Sequence, residues 1–94
     1  MNLYLISQDV NVYYDSYDSA VVAAENSEDA AQIHPSGHWK WKMDGWHFVY
    51  IDERETEPQT PDDWATIADI HVALLGKANA NIKRGVILAS FNAG

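Results

Sequence analysis

Cysteine is absent from this 94-residue chain, which excludes disulfide bonds, zinc sites with cysteine ligands and thiol chemistry. Long apolar runs are absent too. The opening residues, MNLYLISQDV, contain only short apolar stretches and no basic residue, so we expect neither a signal peptide nor a membrane anchor there. Both absences favour a protein of the cytoplasm that does not associate with membranes.

Basic residues are scarce and unevenly placed. The chain has 6 Lys and Arg against 14 Asp and Glu, which gives a formal net charge of -8, and its first basic residue is Lys40. Because binding to nucleic-acid backbones and anionic lipids depends on Lys and Arg, we expect no direct contact with nucleic acid or membrane. The negative field would instead attract a basic protein, unless the acidic residues serve solubility alone.

Catalytic and cofactor motifs are missing as well. The sequence has no nucleophile elbow, no P-loop, no dinucleotide-binding glycine motif and no HExxH zinc motif. His34 and His38 have the spacing of a helical metal site, but Pro35 and Gly37 between them break the helix. The segment that begins at Asp9 starts like a calcium loop but lacks its sixth-position glycine and twelfth-position acid. We therefore predict no metal, no cofactor and no enzymatic activity.

The length is that of one small domain, so we treat residues 1–94 as a single unit. Short apolar segments with strand-like alternation predict a mostly antiparallel four-stranded sheet, and one principal helix follows its second strand. In the third strand, Ile70, Val72 and Leu74 are expected to face the core. The fold class is therefore α+β, with an aromatic β-hairpin and an acidic connector inserted at 38–63. The predicted strands are 3–8, 19–24, 70–78 and 85–91.

The principal helix has a recognisable start and end. Ser27 is placed to cap it, and Glu28 and Asp29 fall in the first turn, where the helix dipole favours negative charge. The residue before a proline avoids helical geometry, so the helix should end just before Pro35, after about two turns. The same capping pattern predicts a second helix of one or two turns over 60–68.

The segment HWKWKMDGWHFVYI gives the strongest local signal. Asp44-Gly45 suits a two-residue type I′ turn, which would pair Met43 with Trp46 and Trp41 with Phe48. A two-stranded ribbon is marginal alone, so its aromatic face must pack on this domain or on another chain. The second alternative predicts a homo-oligomer. Its interface would contain Trp39, Trp41, Trp46, Phe48 and Tyr50.

The loop between the first two strands is rich in tyrosine, aspartate and serine. Tyrosine rings stack on flat aromatic ligands, and aspartate carboxylates accept hydrogen bonds from ribose hydroxyls or exocyclic amines. Folding is expected to bring His34 and the end of the last strand beside this loop. If the loop does more than form turns, it is the candidate ligand-binding site. The predicted ligand-binding residues are Tyr13, Tyr14, Asp15, Tyr17, Asp18, His34 and Asn92.

Four stretches, LYLISQDVN, YDSYDSAVVAA, IHPSG and GVILASFNAG, resemble small proteins encoded by tailed phages and prophages. The likeness covers both ends of the chain but not 39–63. It implies an accessory phage protein that acts in the host bacterial cytosol, plausibly against a host defence system. It implies no mechanism and no catalytic residue.

Two functions fit these observations. In the first, the tyrosine loop sequesters a nucleotide-derived immune signal without converting it. In the second, the acidic surface docks onto a host defence protein and inhibits it, either as a nucleic-acid mimic or through exposed aromatic anchors. The first predicts a small-molecule ligand, and the second predicts a basic protein partner.

Overall fold

The computed structural model describes residues 1–93, and its main layer is a four-stranded antiparallel sheet with the order β5-β1-β2-β6. A separate hairpin, β3-β4, lies between the two strand pairs in sequence. The α+β class, the antiparallel sheet, the single short α-helix and the inserted hairpin are confirmed. The strands are β1 (Asn2–Ser7), β2 (Ser16–Ala24), β3 (Trp39–Lys42), β4 (Gly45–Phe48), β5 (His71–Lys77) and β6 (Gly85–Asn92).

Strands β1 and β2 occupy the centre of the sheet. β1 pairs with both β2 and β5, and β2 also pairs with β6, which leaves β5 and β6 at the edges. One face of the sheet carries the hydrophobic core, in which Ile6 and Val22 are fully buried. Leu74 pairs with the buried Tyr4, so it lies on the core side of the sheet as expected, yet it is 64% exposed on the edge strand β5.

The helix, α1 (Ser27–Ala31), is shorter than predicted and begins with a different cap. Asn26, not Ser27, is the N-cap residue: its side-chain oxygen accepts the Asp29 backbone N–H at 2.8 Å. The residues beyond α1 leave helical geometry early, because Ile33 forms an isolated bridge with Lys40 of the hairpin. This bridge ties the end of the helical segment to β3.

The hairpin forms where predicted but with a shifted register. Trp41 pairs with Trp46 and Trp39 with Phe48, so the loop residues are Met43 and Asp44. The predicted type I′ turn is wrong because it needs positive φ at both loop residues, whereas only Gly45, just after them, adopts one, at +130°. The shift moves each partner by two residues, so the four aromatic rings still share one face.

That aromatic face is used within the domain. Trp46 is 1% exposed and its indole N–H donates to the Ala65 carbonyl at 2.9 Å. Trp39 and Trp41 are partly buried and pack against the same core. The core therefore lies between the main sheet and the hairpin, and the other face of the sheet is left free.

The connector after the hairpin is extended rather than helical. The predicted helix over 60–68 is wrong: only a single 3-10 turn, Ile67–Asp69, forms near its end. Hydrogen bonds to neighbouring strands hold the chain extended, since the Gln59 N–H donates to the Trp46 carbonyl and the Asp63 carbonyl accepts from Tyr17. This places Trp64 in the core at 1% exposure. Within residues 1–93, no helix has the length and apolar character needed to cross a membrane.

Candidate functional site

His34 lies at the centre of a cluster of aromatic rings. It is 1% exposed, and it stacks on Trp39 with ring centroids 5.7 Å apart. Tyr17, Trp46 and Trp64 meet it edge-on, with centroid separations of 5.9, 5.7 and 6.1 Å. One imidazole thus joins β2, the hairpin and the connector.

Hydrogen bonds define the protonation state of His34. Its Nδ1 accepts the Ser36 backbone N–H at 3.0 Å, and a backbone N–H can only donate, so the ring proton must be on Nε2. Nε2 lies 3.0 Å from Asp63 Oδ1 and donates to it. Burial lowers the pKa of His34 to about 4, although the Asp63 carboxylate opposes the change. His34 is therefore neutral at neutral pH.

The contacts Ser36–His34–Asp63 have the composition of a serine-hydrolase triad. Ser36 Oγ lies 2.9 Å from Nδ1 and also accepts the His38 backbone N–H at 3.1 Å. A general base works best when its pKa is near the operating pH, and a pKa of about 4 makes His34 a poor base at neutral pH. The three side chains instead lock the turn that leads from the helix into the hairpin.

A cavity of about 440 Å³ opens beside this cluster, between the end of α1, β3 and the start of β6. We call it the tryptophan cavity. Trp39 and Trp41 supply aromatic surface, and Lys40 and Arg84 bring positive charge to its lining. The remaining lining residues are Gln32, Ile33, His34, Gly37, Gly85 and Val86.

Both cations at the tryptophan cavity have a carboxylate neighbour. Arg84 Nε donates to Asp29 Oδ1 at 2.8 Å, which uses one of the five guanidinium N–H donors. Lys40 Nζ lies 3.9 Å from Glu55, a distance that leaves the ammonium free to turn, and its side chain is 63% exposed. Arg84 is therefore held in place at the rim, whereas Lys40 is exposed and only loosely paired.

The predicted tyrosine-loop site is only partly assembled. Asp18 and Asn92 share a cleft of about 370 Å³ with Val12, Ser16, Ser90 and Phe91. The Asp15 N–H donates to the Asn92 carbonyl at 2.5 Å, with Asp15 in the left-handed region at φ +61°. We call this the loop cleft.

The three tyrosines of that loop do not converge on one point. Tyr13 and Tyr14 are 78% and 74% exposed and do not line the loop cleft. Tyr17 packs between Phe91, at 4.8 Å between centroids, and His34. His34 is thus separated from solvent and faces the tryptophan cavity instead.

Lys40, Trp41 and Arg84 were not predicted as members of a ligand site. Arg84 is more than forty residues from Trp41 in sequence, and only the order of the sheet strands brings the start of β6 near β3. The available signal was the clustering of basic residues with tryptophans in WKWK, in a chain that has few basic residues.

The predicted interface residues have different environments. Trp39, Trp41 and Trp46 lie in or against the core, as described above. Phe48 is partly buried between Trp39 and Tyr50, and Tyr50 is 47% exposed beneath the Arg54 guanidinium.

His47 contrasts with His34. Its Nδ1 lies 2.6 Å from the Thr56 carbonyl and its Nε2 lies 2.7 Å from Asp44 Oδ1. Both neighbours are acceptors, so both nitrogens must carry protons and the ring is cationic. The hydrogen bond that His47 Nε2 donates to the Asp44 carboxylate raises the pKa of His47, and the same bond lowers the pKa of Asp44. The cation joins the hairpin turn to the connector.

Within residues 1–93, no group of three or more His, Asp or Glu side chains is arranged to hold a metal ion. Comparisons with protein-family models, curated proteins and solved structures found no match to this chain. The chemistry of the cavity and of the exposed surfaces is therefore the basis for a function.

Proposed function

We propose that this protein is a non-catalytic binder of a nucleotide-like anion, and that the ligand occupies the tryptophan cavity. The observation that carries the proposal is a coincidence of charge and aromatic surface. Two of the six basic residues of a chain with net charge -8 line the same cavity as two tryptophans. A concave site with those properties selects a planar ring that carries negative charge.

The dimensions and donors of the cavity suit such a ligand. Its volume of about 440 Å³ is within the usual range for small-molecule sites, roughly 300–1,000 Å³. An indole of Trp39 or Trp41 would stack on the base. Arg84 would present its remaining N–H donors to the phosphate, since a guanidinium forms two parallel bonds to phosphate oxygens.

The loop cleft is a weaker candidate for an anion. It carries the carboxylate of Asp18 and no basic residue in its lining, so a phosphate there would be repelled. A neutral nucleoside could still contact it. The two sites therefore predict different ligands and different sensitive residues.

Binding without conversion is supported by the state of His34, whose buried ring is a weak base and therefore a poor general base at neutral pH. The resemblance to tailed-phage accessory proteins supplies the biological setting of the proposal. In that setting the protein acts in the host cytosol, and its ligand is a nucleotide that signals in host immunity.

A thermal-shift panel of mononucleotides and cyclic dinucleotides tests the proposal. A ligand that binds only the folded state raises the free energy of unfolding by about 2.7 kcal/mol at 100 times its dissociation constant. For a domain of this size the melting temperature should rise by on the order of 10 °C. Arg84→Ala should abolish the rise. The matched control is Arg54→Ala, which removes an exposed arginine that also pairs with an aspartate.

Two outcomes of the thermal-shift panel would contradict the proposal. If Asp18→Asn or Asn92→Ala abolishes the rise while Arg84→Ala leaves it intact, the ligand binds at the loop cleft. If the protein converts a nucleotide that is present in excess over it, the protein is an enzyme and not a binder.

A second function, inhibition of a basic host protein, is favoured by one observation. The acidic residues of the connector and of the first loop are exposed, and Asp9 has 82% of its side chain accessible. Closely spaced carboxylates of this kind can imitate a nucleic-acid backbone. This alternative predicts that no nucleotide shifts the melting temperature and that one basic partner is retained from host lysate and released by moderate salt.

A further inference from the structure

The face of the main sheet opposite the core is apolar in two of its three rows of residues, and the residues at its centre, Leu5 and Val21, are only partly buried. The strand register places its residues in three rows that each cross all four strands in the order β5-β1-β2-β6. The middle row is Ala73, Leu5, Val21 and Leu88. One flanking row is Gly76, Leu3, Ala23 and Gly85, and the other is His71, Ser7, Ser19 and Ser90.

The composition of this face is unusual for a solvent-facing surface. An antiparallel sheet with one open side normally carries polar residues there. Here none of the twelve register positions is Asp, Glu, Lys or Arg, although 21% of the chain is charged. Leu88 is 69% exposed, and Leu75 and Ile87, next to the bulges of the edge strands, are 54% and 49% exposed.

We propose that this open face is the interface of a homodimer in which two sheets pack face to face. The charge distribution favours a second copy as the occupant. Each copy carries a net charge of -8, so two copies repel wherever acidic surfaces meet. The twelve register positions of the open face include no carboxylate, and the acidic residues that border it, Asp9 beside His71 and Asp18 beside Ser19, lie at one end of the face.

The rows are also self-complementary under one two-fold axis, which runs parallel to the strands between β1 and β2. Rotation about that axis keeps each row in register and reverses the strand order. Leu88 then lies over Ala73 of the second copy, and Leu5 lies over Val21 of the second copy. Leu88 over Ala73 and Leu3 over Ala23 each place a large residue against a small one, as efficient packing requires, whereas Leu5 and Val21 place two branched side chains together.

The area of the open face determines how stable the dimer is expected to be. Four strands about 4.8 Å apart and three rows about 6.8 Å apart give a flat footprint of roughly 400 Å² per copy. Specific interfaces usually bury about 800 Å² per partner, so this footprint is about half the usual size, as in weak and transient complexes. It should dissociate on dilution rather than persist at all concentrations.

Sedimentation velocity from about one to a few hundred micromolar tests the proposal. The unmodified protein should shift from monomer to dimer over that range. Leu88→Lys and Ala73→Glu, which lie on exposed edge strands, should each leave a monomer throughout, with an unchanged circular-dichroism spectrum. Ile51→Lys, at a fully exposed position outside the sheet, is the matched control and should dimerise normally.

The double variant Leu88→Lys with Ala73→Glu tests the geometry itself. The two positions lie on opposite edges of one sheet but face each other between copies, so the introduced charges can pair only across the interface. We expect the double variant to dimerise again. The proposal is overturned if the unmodified protein remains monomeric, if either single variant still dimerises, or if the double variant stays a monomer.

Discussion

At the scale of single residues, two histidines in one small protein have opposite charge states for opposite local reasons. His34 is buried with one acceptor and one donor facing its nitrogens, and it is neutral. His47 faces acceptors on both sides and is cationic. Burial is the larger influence on His34, whereas hydrogen bonding is the larger influence on His47.

The lowered pKa of His34 predicts a loss of stability in mild acid. The unfolded chain takes up this proton near the ordinary pKa of 6.5, and the folded protein does so only at about 4. The free energy of unfolding should therefore fall as the pH drops from about 6.5 to about 4, by about 3 kcal/mol in total. Urea unfolding across that range measures it. His34→Gln should flatten this part of the profile, and an unchanged slope in that variant would show that other groups cause the loss.

The raised pKa of His47 predicts the reverse dependence. The contribution of His47 to the free energy of unfolding should be complete below pH 6.5. It should disappear as the pH rises through the pKa of His47 in the folded protein. Two-dimensional nitrogen NMR of the imidazole rings at pH 7 should show two protonated nitrogens in His47 and a single Nε2–H in His34. A neutral His47 ring at that pH would contradict the hydrogen-bond assignment.

At the scale of elements, the positions of strands and helix were largely predictable, and their exact ends were not. Period-two apolar patterns located all four sheet strands, because one face of each had to be buried. The turn at Asp44-Gly45 was predicted one residue late, since the sequence cannot show that Trp46 must reach the Ala65 carbonyl. The helix predicted over 60–68 failed because tertiary hydrogen bonds to β2 and β4 outweigh local capping preference.

The helix cap provides a test at this scale. Asn26 accepts the Asp29 N–H, and the neighbouring Ser27 was the residue that the sequence suggested. Asn26→Ala should lower the free energy of unfolding by about 1 kcal/mol, because a backbone donor loses its partner. Ser27→Ala is the matched control and should have little effect. Equal losses in the two variants, measured by chemical denaturation, would mean that the cap is shared.

At the scale of the whole molecule, the most informative feature is the uneven distribution of charge over the surface. The chain is strongly acidic, yet its open sheet face carries no charge and its tryptophan cavity carries two cations. The sequence indicated the acidity, the aromatic hairpin and the scarcity of basic residues. It did not indicate the tryptophan cavity, because Trp39 and Arg84 come together only through the strand order. It did not indicate the open face either, because that face depends on which side of the sheet the hairpin covers.

The two proposals, ligand binding and dimerisation, use different surfaces of the molecule. Ligand binding uses one end of the sheet beside the hairpin, whereas dimerisation uses the opposite face, and Gly85 at the start of β6 belongs to both. A variant such as Leu88→Lys, which should abolish the dimer, does not touch the tryptophan cavity. Binding should therefore persist in the monomer.

The most direct test of the binding site follows the four indole N–H signals of the protein during titration with nucleotides. Single Trp→Phe substitutions assign each signal. We predict that a bound nucleotide moves the signals of Trp39 and Trp41, which line the cavity, and leaves that of Trp64 nearly unchanged. Movement confined to the backbone of Tyr13, Tyr14 and Asn92, or no movement with any nucleotide at millimolar concentration, would contradict binding in the tryptophan cavity.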